Sequence, residues 1–231
     1  MKLPRLLATS AENESFAGVT PHLAGELVPS LTVELTAGHS VYFEHHVLLW
    51  KHPQVEISVR PVKGAVKRML AGMQIFTTQA SGPGQISFSR DGAGHIVPIH
   101  LRRGESLHVR EHQFLAATGA VAYSFERVRG IANLFLGGTG FFIDHFVATD
   151  GDGLLWLHGY GNVFEKVLAP GESIDVEPGA WLYKEPTVSM ETNMTRLSTG
   201  LLAGFNLVMN RLTGPGRIAL QSMSLHMASD E

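Results

Sequence analysis

A glycine phrase occurs three times in the chain and constrains its fold more than any other feature. "LTAGHSVYFEHHVLLW" begins at Leu35, "LRRGESLHVREHQFLA" at Leu101 and "LAPGESIDVEPGAWLY" at Leu168, so Gly38, Gly104 and Gly171 lie 66 and 67 residues apart. Below them the columns agree without a gap. Ser40, Ser106 and Ser173 match, then Val41, Leu107 and Ile174, then Phe43, Val109 and Val176. Leu48, Phe114 and Trp181 share a later column, as do Leu49, Leu115 and Leu182. A fixed period of this size marks a repeated supersecondary unit. After each glycine apolar residues alternate, the period-two signature of a half-buried strand. A polar break follows (His45-His46, Glu111-His112, Pro178-Gly179), and a second apolar strand begins.

A second anchor lies later in each unit: "GPGQISF" at Gly82, "GDGLLWL" at Gly151 and "GPGRIAL" at Gly214. Proline at the second turn position and glycine at the third suit a type II turn. A third glycine precedes it, at Gly72, Gly138 and Gly204. The chain therefore reads as all-β, with an N-terminal segment over 1–25 and β repeats over 26–95, 96–161 and 162–226, joined in one compact structural unit. In the middle repeat Trp156 falls in the column of Ser87 and Ala219, beside Leu155 and Leu157. That strand is apolar on both faces, so both need cover, from the chain itself or from another subunit. Very little helix is expected. "VKGAVKRMLAGM" places Val62, Val66, Met69, Leu70 and Met73 at helical spacing, and Gly64 and Gly72 limit it to a short connector.

Composition narrows the class. Apolar residues make up 44% of the 231 and charged residues 17%, below the roughly 25% usual for soluble domains. A charge-poor surface favours subunit contacts. A formal net charge of −3 argues against a general nucleic-acid binder, which needs a basic face. The absence of cysteine excludes a disulfide framework and thiol chemistry. No window reaches about 18 uninterrupted apolar residues, and "MKLPRLLATSAENESF" has no signal-type apolar core. A soluble cytoplasmic protein without a transmembrane segment is expected.

Histidine, present twelve times, is the residue type that invites a site. Imidazoles and carboxylates ligate metals, which makes His39, His45 and His46 the metal candidates. The spacing opposes them. No His-x-His occurs, and in a strand His45 and His46 point to opposite sides. "HVREH" at His108–His112 has a helical zinc spacing in a position that reads as strand and turn. The expectation is no metal site and solvated turn histidines. Ser40, Ser106 and Ser173 lack a strand–turn–helix setting for a nucleophile, and their recurrence suits a local turn hydrogen bond. "LGGTGFF" lacks the lysine of a phosphate loop. Neither catalytic nor cofactor-binding residues are expected, and no cofactor.

The C-terminal "RLTGPGRIALQS", the middle "FLGGTGFF" followed by "GLLWLHGYG", and the three L-x-x-G-x-S phrases resemble the mitochondrial-biogenesis family named for altered inheritance of mitochondria. The resemblance spans about residues 26–222. It implies triplicated β-sandwich or double-stranded β-helix units, similar to the trp RNA-binding attenuation protein (TRAP-like), in a symmetric homo-oligomer with a trimer favoured. It supplies no catalytic residue. The segment "EISVRPVKGAVKRM" departs from the glycine-rich stretch that the family tends to carry there.

Three functional readings follow. The first is a non-enzymatic β scaffold that forms a symmetric oligomer and supports an unknown protein partner or a membrane-linked assembly. The second is a small-molecule or metal-binding sandwich that uses the N-terminal histidines. The third is RNA binding, by analogy with the attenuation protein. Arg90, Arg102, Arg103 and Arg217 do not recur in repeat columns, so this last reading rests on fold likeness alone.

Overall fold

Each glycine of the repeated phrase takes a backbone conformation that other residues adopt only at a cost. In the computed structural model φ is 81° at Gly38, 87° at Gly104 and 75° at Gly171. The structure describes residues 2–7, 15–61, 76–128, 141–199 and 203–223. The short helix expected around Val62–Met73 lies outside them.

The described residues form twenty β-strands and one 3-10 turn at His45–Val47. Strands β1 (Arg5–Leu6) and β2 (Val19–Ala24) precede three runs of six. The first run is β3 (Ser30–Leu35), β4 (Ser40–Phe43), β5 (Leu48–Lys51), β6 (Glu56–Pro61), β7 (Phe76–Ser81) and β8 (Gly84–Ser89). The second is β9 (Gly94–Leu101), β10 (Ser106–Arg110), β11 (Phe114–Thr118), β12 (Val121–Val128), β13 (Phe141–Ala148) and β14 (Gly153–Tyr160). The third is β15 (Val163–Leu168), β16 (Ser173–Val176), β17 (Trp181–Lys184), β18 (Ser189–Thr199), β19 (Ala203–Thr213) and β20 (Gly216–Gln221).

Within every run the same antiparallel pairs form. The first and third strands flank the sixth. The second and fourth flank the fifth. Each third strand also carries the same irregularity, between Leu48 and Trp50, Phe114 and Ala116, and Trp181 and Tyr183. An extra residue at this point bends the strand and increases its twist. Two further pairs cross between runs, β4 with β11 and β10 with β17. The N-terminal strands attach apart from one another, β1 to β15 and β2 to β3.

Four sheets result. Seven strands run β1-β15-β20-β17-β10-β13-β12, and six run β6-β7-β4-β11-β14-β9. Four run β2-β3-β8-β5 and three run β16-β19-β18. Strand β9 forms an edge of the six-stranded sheet, with Pro98 opposite Trp156.

The alternation seen in the sequence fills the cores. Leu31, Val33 and Leu35 of β3 point inward, while Ser30, Thr32 and Glu34 do not. Trp156 is fully buried in one core with Phe43, Phe88 and Leu115, whereas Leu155 and Leu157 enter a second with Leu107, Phe146 and Leu182. The chain itself therefore covers both faces of β14.

Two turn expectations need correction. Both Gly-Pro bonds, 82–83 and 214–215, are cis, so neither turn is type II. Backbone crowding explains the glycines there: an added Cβ would stand 2.6 Å from the Thr36 oxygen at Gly82, and 2.5 Å from the Ala169 oxygen at Gly214. The serines of the repeated phrase open strands β4, β10 and β16, and the turn bond is supplied by the residue before them. The amides of His39, Glu105 and Glu172 donate to the carbonyls of Thr36, Arg102 and Ala169. The Glu105 and Glu172 carboxylates accept in return from the amides of Arg102 (2.9 Å) and Ala169 (3.0 Å). Ser173 instead faces Thr213 across the pair of β16 and β19, at 2.8 Å.

Candidate functional site

Two groups of polar side chains are drawn out of water by this framework. The first gathers where the first run meets the second. Glu44 follows β4 and caps the 3-10 turn in an extended conformation. Arg90 follows β8 and is 6% exposed. Its Nη2 donates to Glu44 Oε2 at 2.5 Å and to the Phe114 carbonyl at 2.6 Å, while Nη1 lies 3.2 Å from His46 Nε2. His46 Nε2 also stands 3.2 Å from Glu44 Oε2. A buried guanidinium needs such a set of acceptors, because an unpaired buried charge costs several kcal/mol.

Beside it His112 adopts φ 63°, and burial lowers its pKa while Glu44 opposes that shift. His158 of β14 and Gln113 are fully buried. Their ring nitrogens and amide atoms make no side-chain hydrogen bond among the described residues. Burial, helped by the nearby Arg90, lowers the His158 pKa to about 4. Gly94 permits this packing, since a Cβ there would collide with the Gly159 carbonyl and the His158 ring.

The second group is a row across four strands. Lys184 on β17, His108 on β10 and His145 on β13 are cross-strand neighbours. Lys184 Nζ donates to the Val188 carbonyl at 2.7 Å and lies 3.1 Å from His108 Nδ1. The rings of His108 and His145 stack with centroids 3.9 Å apart, and His145 Nε2 is 3.6 Å from Glu126 Oε2 on β12. Burial first, then Lys184 and His145, lowers His108 to about 4. A neutral His108 can accept a hydrogen bond from the lysine ammonium, which links the second and third runs.

His39 and His46 are not brought together. His39 belongs to the turn before β4, with Nδ1 2.8 Å from Thr36 Oγ1, in the column that Glu105 and Glu172 occupy. His46 lies beyond the other end of β4 and is engaged with Arg90 and Glu44. His45 lies in the same 3-10 turn as His46. Among the described residues, no group of three or more His, Cys, Asp or Glu side chains is placed to hold a metal ion. Neither the grouping of Arg90 with Glu44 and His46 nor the stack of His108 on His145 is singled out by the sequence as a site. The signal for the histidines is a polar residue inside a mostly apolar strand, His108 in "SLHVR" and His145 in "FFIDHFVA".

The lowered histidines imply a pH dependence. The folded chain holds His158 at about 4 against an ordinary value of 6.5, so below pH 6.5 the unfolded chain takes up a proton that the folded chain refuses. Stability is therefore lost as pH falls from about 6.5 to about 4, by up to roughly 1.4 kcal/mol per pH unit for this group. Urea unfolding at pH 7 and pH 4.5 checks this, and His158→Gln is expected to shrink the difference.

The described residues thus form an all-β protein of several antiparallel sheets, with one polar cluster at each junction between successive runs of strands. The chain belongs to the mitochondrial biogenesis AIM24 family, which it matches over residues 22–223. Its fold is similar to the crystal structure of protein SPYM3_0169 from Streptococcus pyogenes. The TM-score is 0.67 at 21% identity, over 89% of this chain and 94% of that one. No curated protein matches it by sequence. No helix among the described residues is long and apolar enough to cross a membrane.

Proposed function

We propose that the chain is a non-enzymatic, cytoplasmic β scaffold that closes into a symmetric homo-oligomer, a trimer, and in that form supports a protein or membrane-linked assembly. The three runs are read as copies of one unit similar to the attenuation-protein subunit. The observation that carries the reading is the exposure of β5, where Leu48, Leu49 and Trp50 are 36%, 56% and 48% exposed. An apolar strand at a sheet edge pairs with another chain unless something covers it. Arg90, Lys184, His46 and His108 have internal partners, which favours assembly over chemistry.

Native mass spectrometry of the untagged protein tests this. Three times the chain mass with nothing added is the expected result. A monomer at micromolar concentration overturns it, and an added mass lost on denaturation moves the ligand-binding reading to first place.

A further inference from the structure

The runs are joined by one kind of contact, used twice. The second strand of a run pairs with the third strand of the next, β4 with β11 and β10 with β17. The register is the same in both. Tyr42 faces Ala117 and Phe43 faces Ala116 at one junction, and His108 faces Lys184 and Val109 faces Tyr183 in the same repeat columns at the other.

This rule leaves one second strand and one third strand over. Among the described residues β16 pairs with β19 alone, and β5 pairs with β8 alone. Their sheets hold three and four strands, the same division that makes up the seven-stranded sheet across the second junction, where β10, β13 and β12 meet β17, β20, β15 and β1. Burial follows the junctions. Phe114, Leu115 and Ala116 are at most 1% exposed and Trp181, Leu182 and Tyr183 at most 2%, whereas the matching Leu48, Leu49 and Trp50 lie open. Only the junction distinguishes these third strands, because the pairing with the sixth strand and its irregularity are shared.

We propose that β16 of one copy pairs antiparallel with β5 of a second copy, head to tail. In the register of the two internal junctions, Val176 faces the partner's Trp50, Asp175 faces the partner's Lys51 and Ile174 faces the partner's His52. Chemistry supports that register. Lys51 holds the Val55 carbonyl at 2.9 Å as Lys184 holds that of Val188 at 2.7 Å. Where Lys184 meets His108, the repeat column sets Asp175 opposite Lys51, so opposite charges face across the strands, with Asp175 shared between Lys51 and Arg211, which already holds both its oxygens at 2.8 Å. The contact is heterologous, with a different surface on each side, and closes into a ring when its rotation permits. This inference rests on the oligomer reading and adds which edges meet.

The chain has no cysteine, which makes the test direct. Facing residues of an antiparallel pair have Cα atoms about 4.5–5.5 Å apart, within disulfide reach. Trp50→Cys and Val176→Cys are made in separate chains, mixed and oxidised. Covalent dimers are expected from the mixture and from neither variant alone. A native oligomer that yields no such dimer overturns the β16–β5 pairing and leaves the oligomer reading standing. A wild-type monomer overturns both. A chain carrying both cysteines that oxidises only within itself, at monomer mass, also overturns the pairing. Lys51→Glu guards against a misfolded cysteine variant. It is expected to raise the dissociation constant at least about tenfold, and Asp175→Lys in the same chain is expected to reverse this; an unchanged oligomer in Lys51→Glu counts against the proposal.

Discussion

Replacing Trp156 with alanine is expected to remove about 3–5 kcal/mol of stability, the usual cost of truncating a fully buried aromatic residue. The indole is 0% exposed and shares its core with Phe43, Phe88 and Leu115. Those residues come from β4, β8 and β11, so a cavity there loosens two runs together. In a chain of this size the loss corresponds to a fall of roughly 10 °C in Tm. Urea and thermal unfolding of Trp156→Ala measure it, and a loss under 1 kcal/mol would mean that the core collapses around the gap.

Arg90→Ala carries the second large effect. The guanidinium connects Glu44, His46 and the Phe114 carbonyl, and truncation removes its donors from the Phe114 carbonyl and from Glu44, to which His46 alone stays close. Breaking such a buried pair costs about 3–5 kcal/mol; the lower end applies because the Glu44 side chain is 20% exposed. Combining Arg90→Met with Glu44→Gln removes both charges and is expected to recover part of the loss. Chemical denaturation of the three variants separates the cost of a stranded charge from that of lost packing. If the double variant is as unstable as Arg90→Ala, packing rather than charge dominates.

Local signals explain what could be read from the sequence. Gly38, Gly104 and Gly171 take positive φ, and a turn that demands glycine is written in the residue itself. Alternation in "SLTVEL" and "SLHVR" fixes which side chains face inward. All-β character was legible on those grounds. The cover over Trp156 was not, because two-sided apolarity states that a strand is buried but not by what. The need for glycine at 82 arises from the Thr36 carbonyl, which stands too close to where a Cβ would be, a contact set by the packing of the turn. Arg90 finds Glu44 and Phe114 only after β4, β8 and β11 have assembled, and such non-local partners leave no periodic trace. His39, a ligand candidate that the spacing opposes, shares its column with Glu105 and Glu172 and is a turn residue like them.

Pro98 in β9 has a consequence for selectivity. An edge strand with a proline in its middle lacks one N–H, so an arriving strand cannot complete a ladder along it. Pro21 in β2 and Pro61 in β6 blunt two more edges. Strands β5 (Leu-Leu-Trp-Lys) and β16 (Ser-Ile-Asp-Val) contain no proline. Among the described sheet edges, the three prolines therefore act as gatekeepers against the addition of further strands at β9, β2 and β6.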